Sequence, residues 1–164
     1  MLLDDKVVVI TGAGQPNGIG AGIAKCFSKE GAQVVITDLP GTPLGSTGKA
    51  IGGGVIGIEA NAASQVEMSA AMEDVVKRCG GLDILVNNAG IGGPTIDYEE
   101  AASASAVMSM SDDVWDAQME ANLRTTFSSS RAAIPHLNQG GGIINIASIA
   151  ALGPSQELPA YGAA

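Results

Sequence analysis

The chain has 164 residues, of which 46% are hydrophobic and 15% are charged, and its formal net charge at pH 7 is −9. This length predicts one domain, residues 1–164, with a sizeable core. The negative charge argues against nucleic acid or an anionic membrane surface as a partner. No apolar run approaches the roughly 20 residues that span a bilayer, so we expect a soluble protein.

The cysteines and the histidine give no indication of disulfides or of a metal site. Cys26 and Cys79 lack a CxxC spacing, and His136 is the only histidine, with no second ligand beside it. We interpret both cysteines as reduced, buried thiols of a cytoplasmic protein. The first residues, MLLDDK, are too few and too acidic for a signal peptide, in agreement with a cytoplasmic location.

A glycine-rich turn follows the first apolar run of the chain. The run covers Val7–Ile10, the turn carries four glycines between residues 12 and 20, and a helix is predicted from about Gly20 to Glu30. This order of strand, glycine turn and helix is typical of the start of a nucleotide-binding βαβ unit. The glycines let backbone N–H groups approach a pyrophosphate at the helix N-terminus. The helix is predicted to face the sheet with Ile19, Ile23, Ala24 and Phe27.

An acidic residue ends the second predicted strand. The apolar run Gln33–Thr37 is suited to a parallel strand that is buried on both faces, and Asp38 follows it directly. A carboxylate in this place accepts hydrogen bonds from an adenosine ribose and repels a 2′-phosphate. Because neither Leu39 nor the glycine turn supplies a cation for such a phosphate, the sequence favours NAD over NADP.

Strands and helices continue to alternate up to residue 90. A short helix is predicted over Ser46–Ile51, a strand over Val55–Glu59, a helix over Gln65–Arg78 and a strand over Leu82–Val86. These alternations predict an α/β fold with a doubly wound parallel sheet. The third helix, with Ser64 as its N-cap, is predicted to direct Val66, Ala70, Val75 and Val76 inward.

A long helix and one more strand are predicted in the second half of the chain. Ile91–Ser111 is expected to be a loop with a short helix at AASASA, followed by a helix from about Asp112 to Ala133. A glycine turn then leads into the strand Ile143–Ala147, and after a loop over 155–159 another helix begins at Ala160–Tyr161. The apolar stripe of the long helix is formed by Trp115, Met119 and Leu123.

Taken together, these stretches resemble the short-chain dehydrogenase/reductase family from Lys6 to Ala164. Its cofactor turn is similar to TG…GIG at residues 11–20, and its sheet-supporting motif to NNAG at residues 87–90. NIAS followed by PAYGAA, with twelve residues between Ser148 and Tyr161, resembles the sequence motifs of its catalytic site. Several motifs in the right order make chance agreement remote.

The resemblance implies a Rossmann fold and an NAD-dependent dehydrogenase or reductase. Hydride would pass between NAD(H) and a small alcohol, ketone or other carbonyl substrate, and the complete protein would form a homo-dimer or homo-tetramer. Tyr161 would exchange the substrate proton, Ser148 would hold the substrate oxygen, and Asn122 would place a water molecule. The cofactor-binding residues would be Gly12, Gln15, Asn17, Gly18, Ile19, Gly20, Asp38, Leu39, Asn61, Ala62, Asn88, Ala89, Gly90 and Tyr161.

Two features depart from the family pattern. Five residues, Ala13 to Asn17, separate Gly12 from Gly18, which is longer than the common spacing and similar to the divergent enoyl reductase branch. The serine–tyrosine spacing fits the common NAD-dependent branch better. The family also has a lysine in YxxxK, whereas this sequence stops at Ala164, one position before it. We therefore expect the chain to be the N-terminal portion of a longer catalytic domain.

A competing hypothesis is a non-catalytic dinucleotide-binding or regulatory protein. Without the lysine, Tyr161 would be a poor base, because an unperturbed tyrosine has a pKa of about 10. This alternative predicts binding of NAD without formation of NADH from any alcohol. A lysine at the next position of the natural gene product would favour the enzyme. A methyltransferase of similar topology is disfavoured by the pair of Ser148 and Tyr161.

Overall fold

The computed structural model describes residues 1–92, 107–108, 110–153 and 158–164. Five strands pair in parallel, in the order β3-β2-β1-β4-β5. The predicted α/β fold with a doubly wound parallel sheet is therefore confirmed. The strands are β1 (Val7–Thr11), β2 (Gln33–Asp38), β3 (Ile56–Glu59), β4 (Leu82–Asn87) and β5 (Leu137–Asn145).

The helices follow the predicted order, with small shifts at their ends. They are α1 (Ile19–Lys29), α2 (Leu44–Ile51), α3 (Gln65–Cys79), α4 (Asp112–Gln118), α5 (Thr125–Ala133) and α6 (Pro159–Ala163). A π-helical segment, Met119–Arg124, joins α4 to α5, and 3-10 turns cover Ile134–His136 and Ile149–Leu152. The acidic tract and the predicted AASASA helix within the loop, and residues 154–157, lie outside the described residues.

The core consists of two apolar layers, one on each face of the sheet. Val8 and Ile10 of β1 belong to the layer under α1, whereas Val7 and Val9 belong to the layer under α3. Every residue of β1 is buried, as expected for a strand in the middle of a parallel sheet. Burial of the strand from both sides fixes the position of the glycine turn that follows it.

The predicted inward faces of α1 and α3 are partly wrong. Val66 and Ile19, both predicted to face the core, are 80% and 71% exposed, and Ala70 is not part of the buried face either. Each of the two exposed β-branched residues lies in the first turn of its helix. The buried face of α3 is instead formed by Met68, Ala71, Met72 and Val75.

The prediction that both cysteines are buried is wrong for Cys26, which is exposed on α1. Cys79, at the end of α3, is half-buried. Burial raises the pKa of the Cys79 thiol, while the Arg78 charge opposes this and the Asp74 charge adds to it. Both cysteines are free thiols, as predicted.

The long helix predicted over residues 112–133 is interrupted, and its apolar stripe faces solvent. Trp115 and Leu123 are 43% and 49% exposed, whereas the buried face of α5 carries small and hydroxyl side chains. Ser128 Oγ donates a hydrogen bond to the Ala63 carbonyl at 3.0 Å, and Ser129 Oγ to that of Ala62 at 3.4 Å. Because these hydroxyls find carbonyl partners, they can be buried where apolar residues were expected.

Strand β5 begins six residues earlier than predicted, at Leu137, and includes the glycine run. Gly140 has a φ of 81°, and the pairing with β4 changes register between Leu82 and Ile84. The predicted glycine turn is thus an irregularity within the strand. In the described part of the chain β5 is an edge strand, where Ile144 is 44% exposed.

Asp83 ties the start of β4 to the start of β1. Its carboxylate accepts hydrogen bonds from Val7 N at 2.9 Å and from Lys6 Nζ at 3.1 Å. Burial by itself would raise the pKa of the Asp83 carboxyl. The hydrogen bonds from Val7, Lys6 and Asn138, together with the Lys6 charge, outweigh burial and lower the pKa below its usual range. The ionised form therefore stabilises the fold.

Asp83→Asn is expected to lower the free energy of unfolding at pH 7 by about 1–3 kcal/mol, mainly through the buried bond to Val7 N. The Lys6 ammonium is half exposed, so its share is small. Because the folded-state pKa is lowered, the contribution of Asp83 is present above the ordinary pKa and is lost as pH falls through the folded-state pKa. Urea unfolding between pH 7 and pH 2 measures this.

The control variant is Asp74→Asn, which removes an i,i+4 ion pair with Arg78 on the surface of α3. Its effect should stay below about 0.5 kcal/mol. If Asp83→Asn and the unchanged protein lose stability in parallel as the pH falls, the assignment to Asp83 is wrong.

Candidate active site

The turn after β1 is clamped against the end of β4. Asn88 Nδ2 donates hydrogen bonds to the carbonyl oxygens of Thr11 and Gly12 at 3.0 and 2.9 Å. In return, Thr11 Oγ1 accepts from the backbone N–H groups of Asn88 and Ala89. The preceding residue, Asn87, joins β4 to β5 through Asn145 Oδ1 at 2.9 Å. The NNAG motif thus supports the sheet, as its resemblance implied.

The first turn of α1 presents backbone N–H groups without a side chain to cap them. Gly18 is the N-cap residue, it makes no side-chain cap hydrogen bond, and the first turn contains no acidic residue. Gly20 is buried, and a Cβ on it would lie 2.7 Å from Asn88 Nδ2. Ile19 belongs to this turn and is exposed, and Asn17 directly precedes the N-cap residue. A helix start of this kind suits an anionic group such as a pyrophosphate.

Asp38 connects the end of β2 to the glycine turn. Its Oδ2 accepts a hydrogen bond from Gly14 N at 2.8 Å, and its Oδ1 accepts from Leu39 N at 2.8 Å. The Gly14 carbonyl in turn accepts from Thr47 Oγ1 of α2 at 2.6 Å. Each carboxylate oxygen keeps acceptor capacity beyond its one backbone bond, so Asp38 is equipped to accept from two further hydroxyls.

The segment after β3 is held in place by side-chain hydrogen bonds. Asn61 Oδ1 accepts from Ala63 N at 3.0 Å, and Asn61 N donates to Glu67 Oε2 at 2.9 Å. Ser64 caps α3 by accepting from Glu67 N, as predicted. These bonds fix the backbone of residues 61–64 at the carboxyl end of the sheet.

A cavity of about 570 Å³ lies at this carboxyl end, where the strand order reverses between β1 and β4. Such a reversal is where open α/β sheets bind their ligands. Most of the residues predicted to bind a cofactor line it, while Asn17, Gly18, Ile19, Gly20, Asn88 and Tyr161 lie outside its lining. The lining consists of Gly12, Gln15, Asp38, Leu39, Ala60, Asn61, Ala62, Ala63, Ala89, Gly90, Ile91, Ala117, Glu120, Ala121 and Thr125.

Asn122 lies in the π-helical segment and braces the loop after β4. Its Oδ1 accepts a hydrogen bond from Ile91 N at 2.9 Å. A Cβ on Gly90 would approach the same oxygen to 2.7 Å. Thr125 Oγ1 lies 2.7 Å from the Asn122 carbonyl and 3.1 Å from the Ala89 carbonyl. Short π-helical insertions are frequent at functional sites, and this one brings Asn122 against the cavity wall.

Tyr161 reaches the same loop from α6, whereas Ser148 lies at the end of β5. A Cβ built on Gly92 would be 3.8 Å from the Tyr161 hydroxyl. Ser148 Oγ accepts a hydrogen bond from Ala150 N at 3.2 Å and so caps a 3-10 turn. Within the part of the chain that the structure describes, no hydrogen bond joins Ser148 to Tyr161.

A larger groove of about 890 Å³ runs along the outer face of α4, the π-helical segment and α5. Met119, Leu123 and Phe127 line it, and Arg124 lies 5.9 Å from the centre of the Phe127 ring. None of the residues predicted to bind cofactor or substrate lines this groove. The smaller cavity is therefore the candidate active site despite its size.

The comparison with protein families agrees with this geometry. The model of the family described as short chain dehydrogenase matches residues 6–164. The chain belongs to the short-chain dehydrogenase family. In this short-chain dehydrogenase chain, the glycine turn, the NNAG motif, Ser148 and Tyr161 all fall within the matched range.

Known relatives share about a third of the residues. A (5R,7aS)-5-hydroxy-7a-methyl-1-oxo-2,3,5,6,7,7a-hexahydro-1H-indene-carboxyl-CoA reductase of Mycobacterium tuberculosis is 36% identical, over 99% of this chain and 61% of the relative. The L-fucose dehydrogenase of Bos taurus is 34% identical, over 94% of this chain and 53% of the relative. The chain thus spans little more than half the length of these relatives.

Solved structures agree at the level of the fold. A short-chain dehydrogenase/reductase from Serratia marcescens superposes with a TM-score of 0.84 at 31% identity, over 99% of this chain and 64% of the other. A short chain dehydrogenase from Burkholderia cenocepacia in complex with NADP gives a TM-score of 0.82 at 33% identity, over 99% and 64%. Because this neighbour holds NADP, the family by itself does not choose between NAD and NADP.

Several residues of this cavity were not predicted, namely Ala60, Ala63, Ala117, Glu120, Ala121 and Thr125. Some of them could have been predicted from their helical spacing relative to Asn122. Thr125 lies three residues after Asn122, and Ala117 and Ala121 are four residues apart, so they lie on neighbouring positions of one helix face.

The described residues give no sign of a metal site or a membrane span. No group of three histidine, cysteine, aspartate or glutamate side chains is placed to hold a metal ion among them. Nor does any helix in those parts of the chain combine the length and apolarity needed to cross a bilayer.

Proposed function

We propose that this protein transfers a hydride between NAD(H) and an alcohol or carbonyl compound. The observation that carries the proposal is the cavity at the strand reversal, which Asp38 lines, together with the uncapped start of α1 at the end of the glycine turn. These two features suit two parts of a dinucleotide. The helix start suits the pyrophosphate, and the Asp38 carboxylate suits the hydroxyls of the adenosine ribose.

The residues around the cavity fit a nicotinamide dinucleotide. The N–H groups at the start of α1 would hold the pyrophosphate, Asp38 the adenosine ribose, and Leu39, Asn61 and Ala62 the adenine. A Cβ on Gly12 would fall 2.6 Å from the Ala89 Cα, so only glycine leaves this close approach possible. The bound dinucleotide would accept or supply the hydride. Ala89 and Gly90 line the same cavity.

Three side chains would serve the substrate. The Tyr161 hydroxyl would exchange a proton with the substrate oxygen, and Ser148 would donate a hydrogen bond to that oxygen as its charge develops. Asn122 would keep the Gly90–Ile91 loop in place and position a water molecule. Support comes from the hydrogen bond between Asn122 and Ile91 N, and from the Tyr161 hydroxyl, which lies 3.8 Å from a Cβ position on the adjoining Gly92.

NAD is the proposed cofactor because of the charges that line the cavity. Among the described lining residues, Asp38 and Glu120 are the only charged side chains, and both are acidic. A 2′-phosphate beside Asp38 would be repelled, whereas ribose hydroxyls would donate to it.

The test is the change in absorbance of the nicotinamide ring when the protein, as its gene encodes it, is mixed with NAD and a panel of small alcohols. NADH formation with at least one alcohol is expected. Binding of NAD, seen as protection against unfolding, without NADH formation from any alcohol would favour the non-catalytic alternative. Absence of both would contradict a dinucleotide site.

Asp38→Ala should lower kcat/KM with NAD by about 10- to 100-fold, because hydrogen bonds to a charged acceptor contribute about 1.5–3 kcal/mol. The ratio of NADP to NAD use should rise, since the repulsion of a 2′-phosphate disappears. Asp38→Asn keeps an oxygen acceptor and isolates the effect of charge. Steady-state kinetics with both cofactors measures the ratio.

Glu59→Ala provides the control, because Glu59 ends the neighbouring strand β3 in register with Asp38 but does not line the cavity. It should leave the cofactor ratio unchanged. An unchanged ratio in both Asp38 variants would argue against the ribose assignment.

A cytoplasmic location and a homo-dimer or homo-tetramer complete the proposal. The two free thiols support the location. The half-exposed Leu123 and Phe127 on the outer face of the helices support self-association. Both remain predictions.

A further inference from the structure

Gln118 is a buried polar residue next to the proposed site. It is the last residue of α4 and only 3% exposed. Its side-chain Oε1 accepts a hydrogen bond from Asn122 Nδ2 at 3.0 Å, and its backbone carbonyl accepts from the same nitrogen at 3.1 Å. Both hydrogens of the Asn122 amide are therefore used within one helical turn.

The other side of the Asn122 amide faces a donor. Its Oδ1 accepts from Ile91 N at 2.9 Å. A flipped amide would place its NH₂ group against the Ile91 N–H and its oxygen against two Gln118 oxygens. The donor on one side and the two acceptors on the other therefore specify a single orientation.

The orientation of the Asn122 amide affects the cavity because this amide contacts the loop after β4. Ile91 and Gly90 both line the cavity, and a Cβ on Gly90 would lie 2.7 Å from Asn122 Oδ1. The loop thus rests on Asn122, and the Asn122 amide rests on Gln118. An apolar residue at position 118 would leave one N–H of the part-buried Asn122 amide without its acceptor, which favours other rotamers of Asn122.

We propose that Gln118 is a positioning residue of the dehydrogenase site: it orients the Asn122 amide and thereby holds the Gly90–Ile91 loop at the cavity wall. The inference rests on the proposed function for its catalytic meaning, but the contact between Gln118, Asn122 and Ile91 can be tested without turnover. Gln118 acts through Asn122 and would itself touch neither cofactor nor substrate.

The first test is amide hydrogen exchange at Ile91, measured by NMR on the ¹⁵N-labelled protein. Gln118→Leu removes the side-chain acceptor at similar volume and should speed exchange of the Ile91 N–H about tenfold. Gln118→Glu keeps an oxygen acceptor and should restore the slow rate. Gln65→Leu is the matched control, because Gln65 Nε2 makes an i,i+4 bond to Ser69 Oγ at 3.1 Å on α3, and it should leave Ile91 unchanged.

The second test is steady-state kinetics on the same variants. Gln118→Leu should lower kcat about tenfold while the KM for the dinucleotide stays the same, and Gln118→Glu should recover kcat. Faster Ile91 exchange with unaltered kcat in an active enzyme would overturn the positioning role. Unchanged Ile91 exchange in Gln118→Leu, or an equal increase at the buried Val9 amide, would overturn the contact itself.

The two proposals fail in different ways. If the unchanged protein reduces no NAD with any alcohol, the proposed function is wrong, yet the exchange rate at Ile91 still decides whether Gln118 orients Asn122. If turnover is found and Ile91 exchange does not respond to Gln118→Leu, the enzyme stands and this inference is wrong.

Discussion

Gly12→Ala is expected to lower the free energy of unfolding by about 2–5 kcal/mol and to abolish dinucleotide binding, because two costs add. Gly12 has a φ of 65°, and this left-handed conformation costs a residue with a Cβ about 1–2 kcal/mol. The new Cβ would also lie 2.6 Å from the Ala89 Cα and 3.0 Å from its N. Backbone atoms cannot move aside as a flexible side chain does, so the overpacking adds roughly 1–3 kcal/mol.

Variants at two other glycines distinguish the conformational cost from the overpacking cost. Gly41 has a φ of 86°, and a Cβ added to it would meet no atom within 4 Å, so Gly41→Ala should show the conformational cost alone. Gly22 lies in α1 with open space around it, and Gly22→Ala should stabilise the helix by up to about 1 kcal/mol. Urea unfolding measures all three, and NADH fluorescence measures binding. Equal decreases in the free energy of unfolding for Gly12→Ala and Gly41→Ala would show that the contact with Ala89 is unimportant.

Tyr161→Phe should lower kcat by about 10²- to 10⁴-fold, the range expected when a general acid–base group is removed. The ring remains against the Gly92 end of the loop, where the hydroxyl now lies 3.8 Å from a Cβ position on Gly92. Binding of the dinucleotide should therefore change little, and the variant should fold. The measurement pairs steady-state kcat with the dissociation constant of NADH for the same protein.

Ser148→Ala is the comparison for this prediction, since it leaves the Tyr161 hydroxyl in place. Loss of a hydrogen bond to the developing oxyanion should cost about 10²- to 10³-fold in kcat. A Tyr161→Phe variant that keeps kcat within a factor of about three would exclude Tyr161 as the proton-exchanging group. A loss of NADH affinity as large as the loss of kcat would assign Tyr161 to binding instead.

The parts of the fold that depend on local pattern could be predicted from the sequence. Continuous apolar runs indicated β1 and β2 nearly to the residue, because strands buried on both faces need apolar side chains at every position. The glycine turn and the NNAG motif were also local signals, since a close approach of backbones excludes a Cβ at Gly12. Asp38 was predictable as the residue that ends the second strand, because it directly follows a continuous apolar run.

The burial of helix faces could not be predicted in the same way. Val66 faces solvent because Met68 and Met72 set the phase of α3, and their partners come from the sheet and from α5. The hydroxyl Ser128 is buried because the Ala63 carbonyl accepts its hydrogen bond. The apolar stripe of a helix, as predicted from the sequence, does not show which residues from distant parts of the chain will pack against it.

The sequence alone determined the parallel sheet, the glycine turn after β1 and the acidic end of β2, since each depends on residues that are close together in the chain. Only the tertiary structure decided that Gln118, Asn122 and Ile91 form one hydrogen-bonded unit, because the π-helical turn and the loop after β4 lie far apart in the chain. It also decided which of two grooves faces the strand ends. Contacts of that kind arise from packing, which no local pattern specifies.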